Sequence, residues 1–223
     1  LSATTGTDHI QIENPKIKVI TLKGDPVLKN IHATAELTFG LILALARHIP
    51  QAVNGTNRED YIGMDLAGKT IGILGYGRIG QMVERIAWGF GMDVIKADKG
   101  DDTDILLTVS DILTIHVDLN PTTYNLIGMD EFMQLPKGAL VINTSRGEVV
   151  NEFDLLQALK SGMIGGAALD VMAHEQTGRN PALLEYARTH DNLIITPHIG
   201  GATRESMAMA EIAIAKRMAQ EVG

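Results

Sequence analysis

Three side chains that can move a proton or hold an anion lie shortly after apolar runs of this sequence. They are Arg146, Glu175 and His198, and each lies within five positions of the end of its run. The runs are typical of buried strands, and the carboxyl ends of strands in an open parallel sheet share one edge. We therefore expect an imidazole, a carboxylate and a guanidinium to converge in a crevice at that edge.

A second chemical signature is the turn Gly75-x-Gly77-x-x-Gly80, which follows the apolar run Ile71–Leu74 and opens an amphipathic helix. The first glycine permits a tight turn, the second lets a pyrophosphate approach the backbone, and the third lets the helix pack on the strand. N–H groups at the helix start can hold phosphates. Asp98 lies eighteen positions after Gly80, where a dinucleotide site needs an acceptor for ribose hydroxyls. The turn therefore predicts a dinucleotide-binding site.

Alternating strands and helices are needed to position these residues. The apolar patterns predict strands over 17–20, 71–74, 93–97, 112–116, 139–143, 166–170 and 193–196. They predict helices over 33–47, ended by Pro50, and over 130–135, 152–161 and 205–221, besides the helix after the glycine turn. Such alternation requires a parallel sheet with helices on both faces. The predicted fold class is α/β, a Rossmann-type doubly wound parallel sheet.

Composition narrows the function classes. The net charge of −8 over 223 residues argues against nucleic acid and anionic membranes as partners. The absence of cysteine excludes disulfides and thiolate metal sites, and the histidines show no metal-ligand spacing, so no metal is expected. The longest apolar run, over 37–46, is too short to span a bilayer. A cytoplasmic location is expected.

Each candidate residue also has a plainer interpretation. Taken alone, His198 could be a structural residue, Glu175 an exposed loop acid, and Arg146 part of a turn. Asp98 could belong to a polar turn, with the aspartates at 101, 102 and 104 in a solvated loop. His116 could contribute only its backbone at a strand end.

Taken together, the motifs resemble the D-isomer-specific 2-hydroxyacid dehydrogenase family, which includes phosphoglycerate, glycerate and D-lactate dehydrogenases. The stretches that carry the resemblance, in the family's order, are Ala35-Glu36-Leu37, Gly75-Tyr76-Gly77-Arg78-Ile79-Gly80, Ile142-Asn143-Thr144-Ser145-Arg146-Gly147, Ala168-Leu169-Asp170-Val171 with Glu175, and Thr196-Pro197-His198-Ile199-Gly200-Gly201. The resemblance implies an oxidoreductase that transfers a hydride between NAD(H) and a small 2-hydroxy or 2-keto acid.

The family's catalytic roles carry over to the three strand-end residues. The resemblance implies that His198 protonates the carbonyl oxygen as hydride arrives, and that Glu175 favours the charged imidazole and orients it. Arg146 would hold the substrate's carboxylate and carbonyl through its planar fork. Thr5 and Gly6 resemble the loop whose backbone amides anchor the substrate carboxylate.

Cofactor contacts are implied in the same way. Arg78 and Ile79 would present backbone N–H groups to the pyrophosphate, and Asp98 would bind the adenosine ribose. The other implied cofactor residues, besides the three glycines of the turn, are His116, Val117, Thr144, Ser145, Arg146, Asp170, His198, Gly200 and Gly201.

The resemblance also implies two domains. Residues 1–30 would form part of a substrate domain, residues 31–199 the NAD-binding Rossmann domain, and residues 200–223 a helix returning to the substrate domain. Family members usually carry a longer N-terminal part, and Gln176 stands where proline often follows the glutamate. A homodimer is expected, because the family pairs through its nucleotide-binding domain and helix 33–47 is apolar around most of its circumference.

Two other functions remain open. A non-catalytic NAD(H)-binding scaffold, or a corepressor-like regulator, would use the same cofactor site. A methyltransferase would use the glycine turn for another adenosine ligand, but it leaves Arg146, Glu175 and His198 without a role.

We predict a preference for NAD over NADP. A 2′-phosphate would meet the negative charge of Asp98, and Lys99 would offset that charge only partly from solvent. Fluorescence titration should give tighter binding of NADH than of NADPH. Tighter binding of NADPH would contradict the assignment of Asp98.

Overall fold

The computed structural model describes residues 2–4, 6, 10, 17–175 and 177–222. The chain forms two compact units. The larger unit is Ala35–Gly200, and the smaller one combines Leu1–Thr34 with Gly201–Gly223.

The larger unit is built on one six-stranded sheet in which every neighbouring pair is parallel. The strands are β1 (Thr70–Leu74), β2 (Asp93–Ala97), β3 (Ile112–Ile115), β4 (Leu140–Asn143), β5 (Gly166–Leu169) and β6 (Leu193–Ile195). The helices along the chain are α1 (Ala33–Ala46), α2 (Ile49–Ala52), α3 (Arg78–Gly89), α4 (Asp104–Val109), α5 (Met129–Gln134), α6 (Glu152–Lys160), α7 (Pro181–Thr189) and α8 (Arg204–Val222). Short 3-10 helices cover Pro26–Asn30, Arg58–Tyr61 and Gly147–Val149.

Both faces of the sheet are covered by apolar side chains. All residues of β3, β4 and β5 are buried, because each strand contributes alternately to one of two hydrophobic clusters. Phe132 lies fully buried in one cluster, and Ile42 in the other. Runs of apolar residues without alternation are what a parallel sheet buried on both faces requires. The predicted α/β class is confirmed.

The strand order is β2-β1-β3-β4-β5-β6, so the chain goes from β1 to one side of the sheet and then returns to the other side at β3. This reversal leaves a crevice outside the carboxyl ends of β1 and β3. Ligands of open α/β sheets bind at such a switch point.

The smaller unit packs α8 against the 3-10 helix Pro26–Asn30 around a small apolar cluster. Leu22 and Ile214 are central in this cluster, with 0% and 8% exposure. The strand predicted over 17–20 is wrong: the segment is not part of a strand. Ile20 instead accepts a hydrogen bond from the Ser2 N–H at 3.0 Å, and the Leu22 N–H donates to the Thr4 carbonyl at 3.0 Å, without a strand in the described residues of this segment.

The structure also differs from the predicted helices in three respects. Helix α1 ends at Ala46, and Pro50 lies in the first turn of α2, where proline's missing N–H costs no helical hydrogen bond. Asp104 begins α4, so it is not in a loop. Helix α7 was not predicted, although Asn180 before Pro181 is a helix-start signal. Among the described residues, no helix is both long and apolar enough to cross a membrane.

Candidate active site

The glycine turn joins β1 to α3 with the geometry that the sequence predicts. Gly75 has a φ of +95°, and a Cβ at this position would lie 2.6 Å from the carbonyl carbon of His116. A Cβ at Gly80 would lie 2.3 Å from the carbonyl oxygen of Gly75, so only glycine lets α3 approach the strand this closely. Gly77 is the N-cap of α3 and faces open space, with no atom within 4 Å of a Cβ added there. The turn therefore leaves room for a group at the helix start.

The first turn of α3 has the features of an anion site. Arg78 and Ile79 are the first residues of this helix, and no side chain caps its N-terminus. Burial of the Arg78 guanidinium lowers its pKa. Backbone N–H groups and the helix dipole favour a phosphate at such a position.

A cavity of about 490 Å³ lies at the switch point beside this turn. Its lining includes Gly75, Gly77, Asp98, His116 and Val117. Neither ring nitrogen of His116 has a hydrogen-bond partner among the described residues, although both atoms are buried. Burial lowers the pKa of His116 to about 3, so the ring is neutral at physiological pH. A cavity at the switch point beside a helix start fits a nucleotide ligand.

The rim of this cavity is shaped by Asp98. The Asp98 carboxylate accepts a hydrogen bond from the Lys99 N–H at 2.9 Å, and the Asp98 N–H donates to Asp101 at 2.8 Å. The residue is thus part of a polar turn and at the same time lines the cavity. The two interpretations of Asp98 are compatible.

A cluster that sequence reasoning missed supports the turn from outside. Lys96 Nζ lies 2.7 Å from the Glu84 carboxylate and 3.9 Å from the ring centre of Tyr76, whose hydroxyl also donates to Glu84. The hydrogen bond from Lys96, and then that from Tyr76, lowers the pKa of Glu84. These contacts connect the glycine turn to both β2 and α3. Only Tyr76 lies in a motif, so residue spacing alone could not reveal the cluster.

The loop after β4 carries Arg146. Asn143, the last residue of β4, donates to the Arg146 carbonyl at 2.8 Å and accepts from the Ser145 N–H at 3.0 Å. A Cβ at Gly147 would lie 1.9 Å from the carbonyl carbon of Met172, so this loop touches the loop after β5. The guanidinium donates to the Ser145 carbonyl at 2.8 Å.

The loop after β6 carries His198 and is held by the buried Asp170, which is 1% exposed. The Asp170 carboxylate accepts hydrogen bonds from the Thr196 hydroxyl at 2.6 Å, the Ile199 N–H at 2.8 Å and the Gly200 N–H at 2.7 Å. Its backbone carbonyl accepts from the His198 N–H at 2.8 Å. These bonds maintain His198 at a φ of +56°, a left-handed conformation that is costly for a histidine.

His198 and Glu175 form a pair. His198 Nδ1 lies 2.8 Å from Glu175 Oε2, and the side chains are 48% and 22% exposed. Glu175 Oε1 accepts the Met172 N–H at 2.9 Å. Because Nδ1 faces the carboxylate, Nε2 is the ring nitrogen left for proton exchange with a ligand.

The backbone next to Glu175 is bound by further carboxylates that sequence reasoning missed. The Ala173 N–H donates to Glu152 at 2.7 Å, and the His174 N–H donates to Glu148 at 3.1 Å. Burial raises the pKa of Glu152, against the opposing effect of the Ala173 hydrogen bond. Both acids follow Gly147 closely in the chain, but their amide partners could not be read from sequence.

The remaining predicted site residues lie in the loop after β4 and in the smaller unit. The Thr144 hydroxyl lies 3.0 Å from the Thr38 hydroxyl, in a buried contact between the loop after β4 and α1. Gly6 and Gly201 belong to the smaller unit. Gly6 accepts a hydrogen bond from the Thr4 hydroxyl at 3.0 Å, and Thr5 lies outside the described residues.

The chain is similar to known proteins over most of its length. Residues 39–200 match the family model described as "D-isomer specific 2-hydroxyacid dehydrogenase, NAD binding domain". The chain is 37% identical to D-3-phosphoglycerate dehydrogenase of Methanocaldococcus jannaschii, over 97% of this chain and 44% of that protein. It is also 37% identical to glycerate dehydrogenase of Methylorubrum extorquens, over 92% of this chain and 69% of that protein.

A solved structure shares the fold over nearly the whole chain. D-lactate dehydrogenase from Aquifex aeolicus, complexed with NAD and lactic acid, superimposes with a TM-score of 0.84 at 28% identity, over 99% of this chain and 75% of that chain. The chain spans about half the length of several curated relatives, for example 44% of the length of the Methanocaldococcus protein. Residues 39–200 thus form an NAD-binding domain, and the cofactor is NAD.

We expect Asp170→Asn to destabilise the protein by about 2 kcal/mol, because an amide nitrogen would replace one of the oxygens that accept buried hydrogen bonds. Urea unfolding curves measure the change, with the exposed Asp65→Asn as the matched control. Equal stability of the two variants would show that Asp170 does not hold the loop.

Glu152 generates a pH-dependent prediction. Because its pKa is raised on folding, its contribution to stability is full below the ordinary carboxyl range and is lost as the pH rises through the raised value. Glu152→Gln removes this loss, so its melting temperature should exceed that of the parent by about 2 °C at pH 7.5 and by less at pH 4. Calorimetry at both pH values tests this, and a lower melting temperature at pH 7.5 would contradict it.

Proposed function

The chain belongs to the D-isomer-specific 2-hydroxyacid dehydrogenase family, and on that premise we propose that it reduces a small 2-keto acid to the D-2-hydroxy acid and catalyses the reverse oxidation. The observation that carries the proposal is the 2.8 Å contact of His198 Nδ1 with Glu175 Oε2, which joins the loops that follow β6 and β5. Bound NADH supplies the hydride, and the protein's own residues supply the proton and the binding of the acid.

In the proposed reaction, His198 gives the proton on Nε2 to the carbonyl oxygen of the keto acid. Negative charge develops on that oxygen during reduction, so a protonated imidazole close to it stabilises the transition state. Glu175 orients the ring through Nδ1 and compensates its positive charge. In the direction of oxidation, the neutral ring removes the proton from the hydroxyl group.

Arg146 is proposed to hold the substrate's carboxylate. The β4 loop and the β5 loop are in backbone contact at Gly147, so Arg146 and Glu175 lie on two loops packed against each other. A guanidinium suits a carboxylate because its planar donors match the two oxygens.

The smaller unit is proposed to be part of the substrate domain. We also propose a cytoplasmic homodimer. The homodimer is proposed because of the family, and α1 does not support it. The chain itself covers most of this helix, in which only Glu36 and Gly40 are exposed among residues 33–46. Exposed apolar side chains elsewhere on the larger unit, such as Trp88 at 60% and Val53 at 71%, are available to a second copy.

We expect His198→Asn to lower turnover of NADH with 2-keto acids at least about 100-fold, because the proton donor is lost. The affinity for NADH should stay within about twofold. Asparagine tolerates the left-handed conformation at this position, so the loop should be retained. His48→Asn is the matched control, since His48 also has a positive φ, of 51°.

Absorbance of NADH with glyoxylate, pyruvate and hydroxypyruvate measures turnover, and fluorescence titration measures affinity. Comparable turnover in the parent and in His198→Asn would contradict the catalytic assignment. A parent that binds NADH but reduces none of the acids would favour the non-catalytic scaffold.

A further inference from the structure

Three consecutive backbone amides before Glu175 each donate to a different carboxylate. The N–H groups of residues 172–174 donate, in order, to Glu175 at 2.9 Å, Glu152 at 2.7 Å and Glu148 at 3.1 Å. All of these residues lie in the larger unit. The short segment that ends at Glu175 is therefore fixed residue by residue.

We propose that Glu152 and Glu148 are positioning residues for the Glu175–His198 pair: they hold residues 172–174 so that the Glu175 carboxylate meets His198. The proposal rests on the proposed function, because it assigns these acids to the same proton-transfer site. Neither acid is placed in contact with the substrate or the cofactor.

The positions of Glu148 and Glu152 in the chain connect the segment of Arg146 with the segment of Glu175. Glu148 lies in the 3-10 helix Gly147–Val149, and Glu152 is the first residue of α6. Both follow Arg146 within six residues, so the segment that presents the guanidinium also holds the segment that presents Glu175. The contact of Gly147 with the 172–173 backbone leaves no room for a side chain, which fixes the distance between the two segments.

Helix capping does not explain Glu152. The N-cap of α6 is Asn151, whose side chain accepts the N–H groups of Phe153 and Asp154 at 3.1 Å and 3.2 Å. The carboxylate of Glu152 instead points to the backbone of another loop, at Ala173.

The negative charge of Glu152 does not explain the residue by a contribution to the stability of the fold either. The groups that face it are Glu148, His174 and Asn180, and its ionised form is disfavoured there chiefly by burial. Repulsion from Glu148 adds to this effect. A carboxylate with this environment stabilises the fold poorly, but its oxygen orders the amide of Ala173.

Two substitutions of similar size test whether the Glu152 carboxylate oxygen positions Ala173. Glu152→Gln keeps an oxygen that can accept the Ala173 N–H, whereas Glu152→Met removes the acceptor. We expect Glu152→Met to lower kcat for keto-acid reduction about tenfold or more with little change in KM and NADH affinity, because a misplaced proton donor affects the chemical step. Glu152→Gln should restore most of kcat.

A second readout does not depend on turnover. The hydrogen bond between His198 Nδ1 and Glu175 should give a shifted imidazole resonance in nitrogen-15 NMR, detected through the carbon-bound protons of the ring, which the parent and Glu152→Gln should show and Glu152→Met should lose. Glu131→Met is the matched control, because Glu131 also accepts a backbone N–H, that of Gly128 at 2.9 Å, away from this loop. Glu148→Met and Glu148→Gln repeat the comparison if Glu152→Met does not fold.

The results separate this proposal from the proposed function. Loss of the resonance in the methionine variant, with rescue in the glutamine variant, supports positioning even if the parent reduces no keto acid. An unchanged resonance and kcat in the methionine variants would overturn the positioning role while leaving the dehydrogenase intact. A parent spectrum without the resonance would remove the pair itself and the proposal with it.

Discussion

The structure of the candidate active site depends on one buried carboxylate. Asp170 directly follows β5 and is 1% exposed, and its two oxygens accept three hydrogen bonds from the loop after β6. A buried carboxylate is tolerated when it accepts hydrogen bonds in this way, and through these three bonds Asp170 holds the loop. The left-handed conformation of His198, and with it the position of the imidazole opposite Glu175, follows from this one interaction.

The sheet makes that interaction available. Parallel pairing places the carboxyl ends of β4, β5 and β6 side by side, with Asn143 aligned to Leu169 and Leu169 aligned to Ile195. The loops with Arg146, Glu175 and His198 therefore start at one edge, although the residues are up to 52 positions apart in the chain. The glycine turn starts at the same edge after β1, so the candidate cofactor site and the His198–Glu175 pair follow strands at one edge of the sheet.

Sequence patterns predicted the sheet well because strands buried on both faces are continuous apolar runs. The predicted runs 139–143 and 166–170 differ from the fully buried strands β4 and β5 by one residue at one end each. The predicted bounds of the edge strand β2 agree at both ends, and β3 ends one residue before the predicted His116. The same rule failed at 17–20, since an apolar run becomes a strand only where another strand pairs with it. The site was predictable where chemistry lies in side chains after strands. It was not predictable where a side chain binds a distant backbone amide, as Glu152 binds Ala173, or where a cluster is assembled from three elements, as with Tyr76, Glu84 and Lys96.

The central claim, that this chain catalyses hydride transfer from NADH to the keto carbon of a 2-keto acid, is tested most directly by isotope transfer. NADH carrying deuterium at the reactive position of the nicotinamide would be incubated with the chain and a 2-keto acid, and the product analysed by mass spectrometry and chiral chromatography. The account predicts one deuterium on C2 of the D-hydroxy acid. A product without deuterium at C2, or the L-isomer, would contradict it.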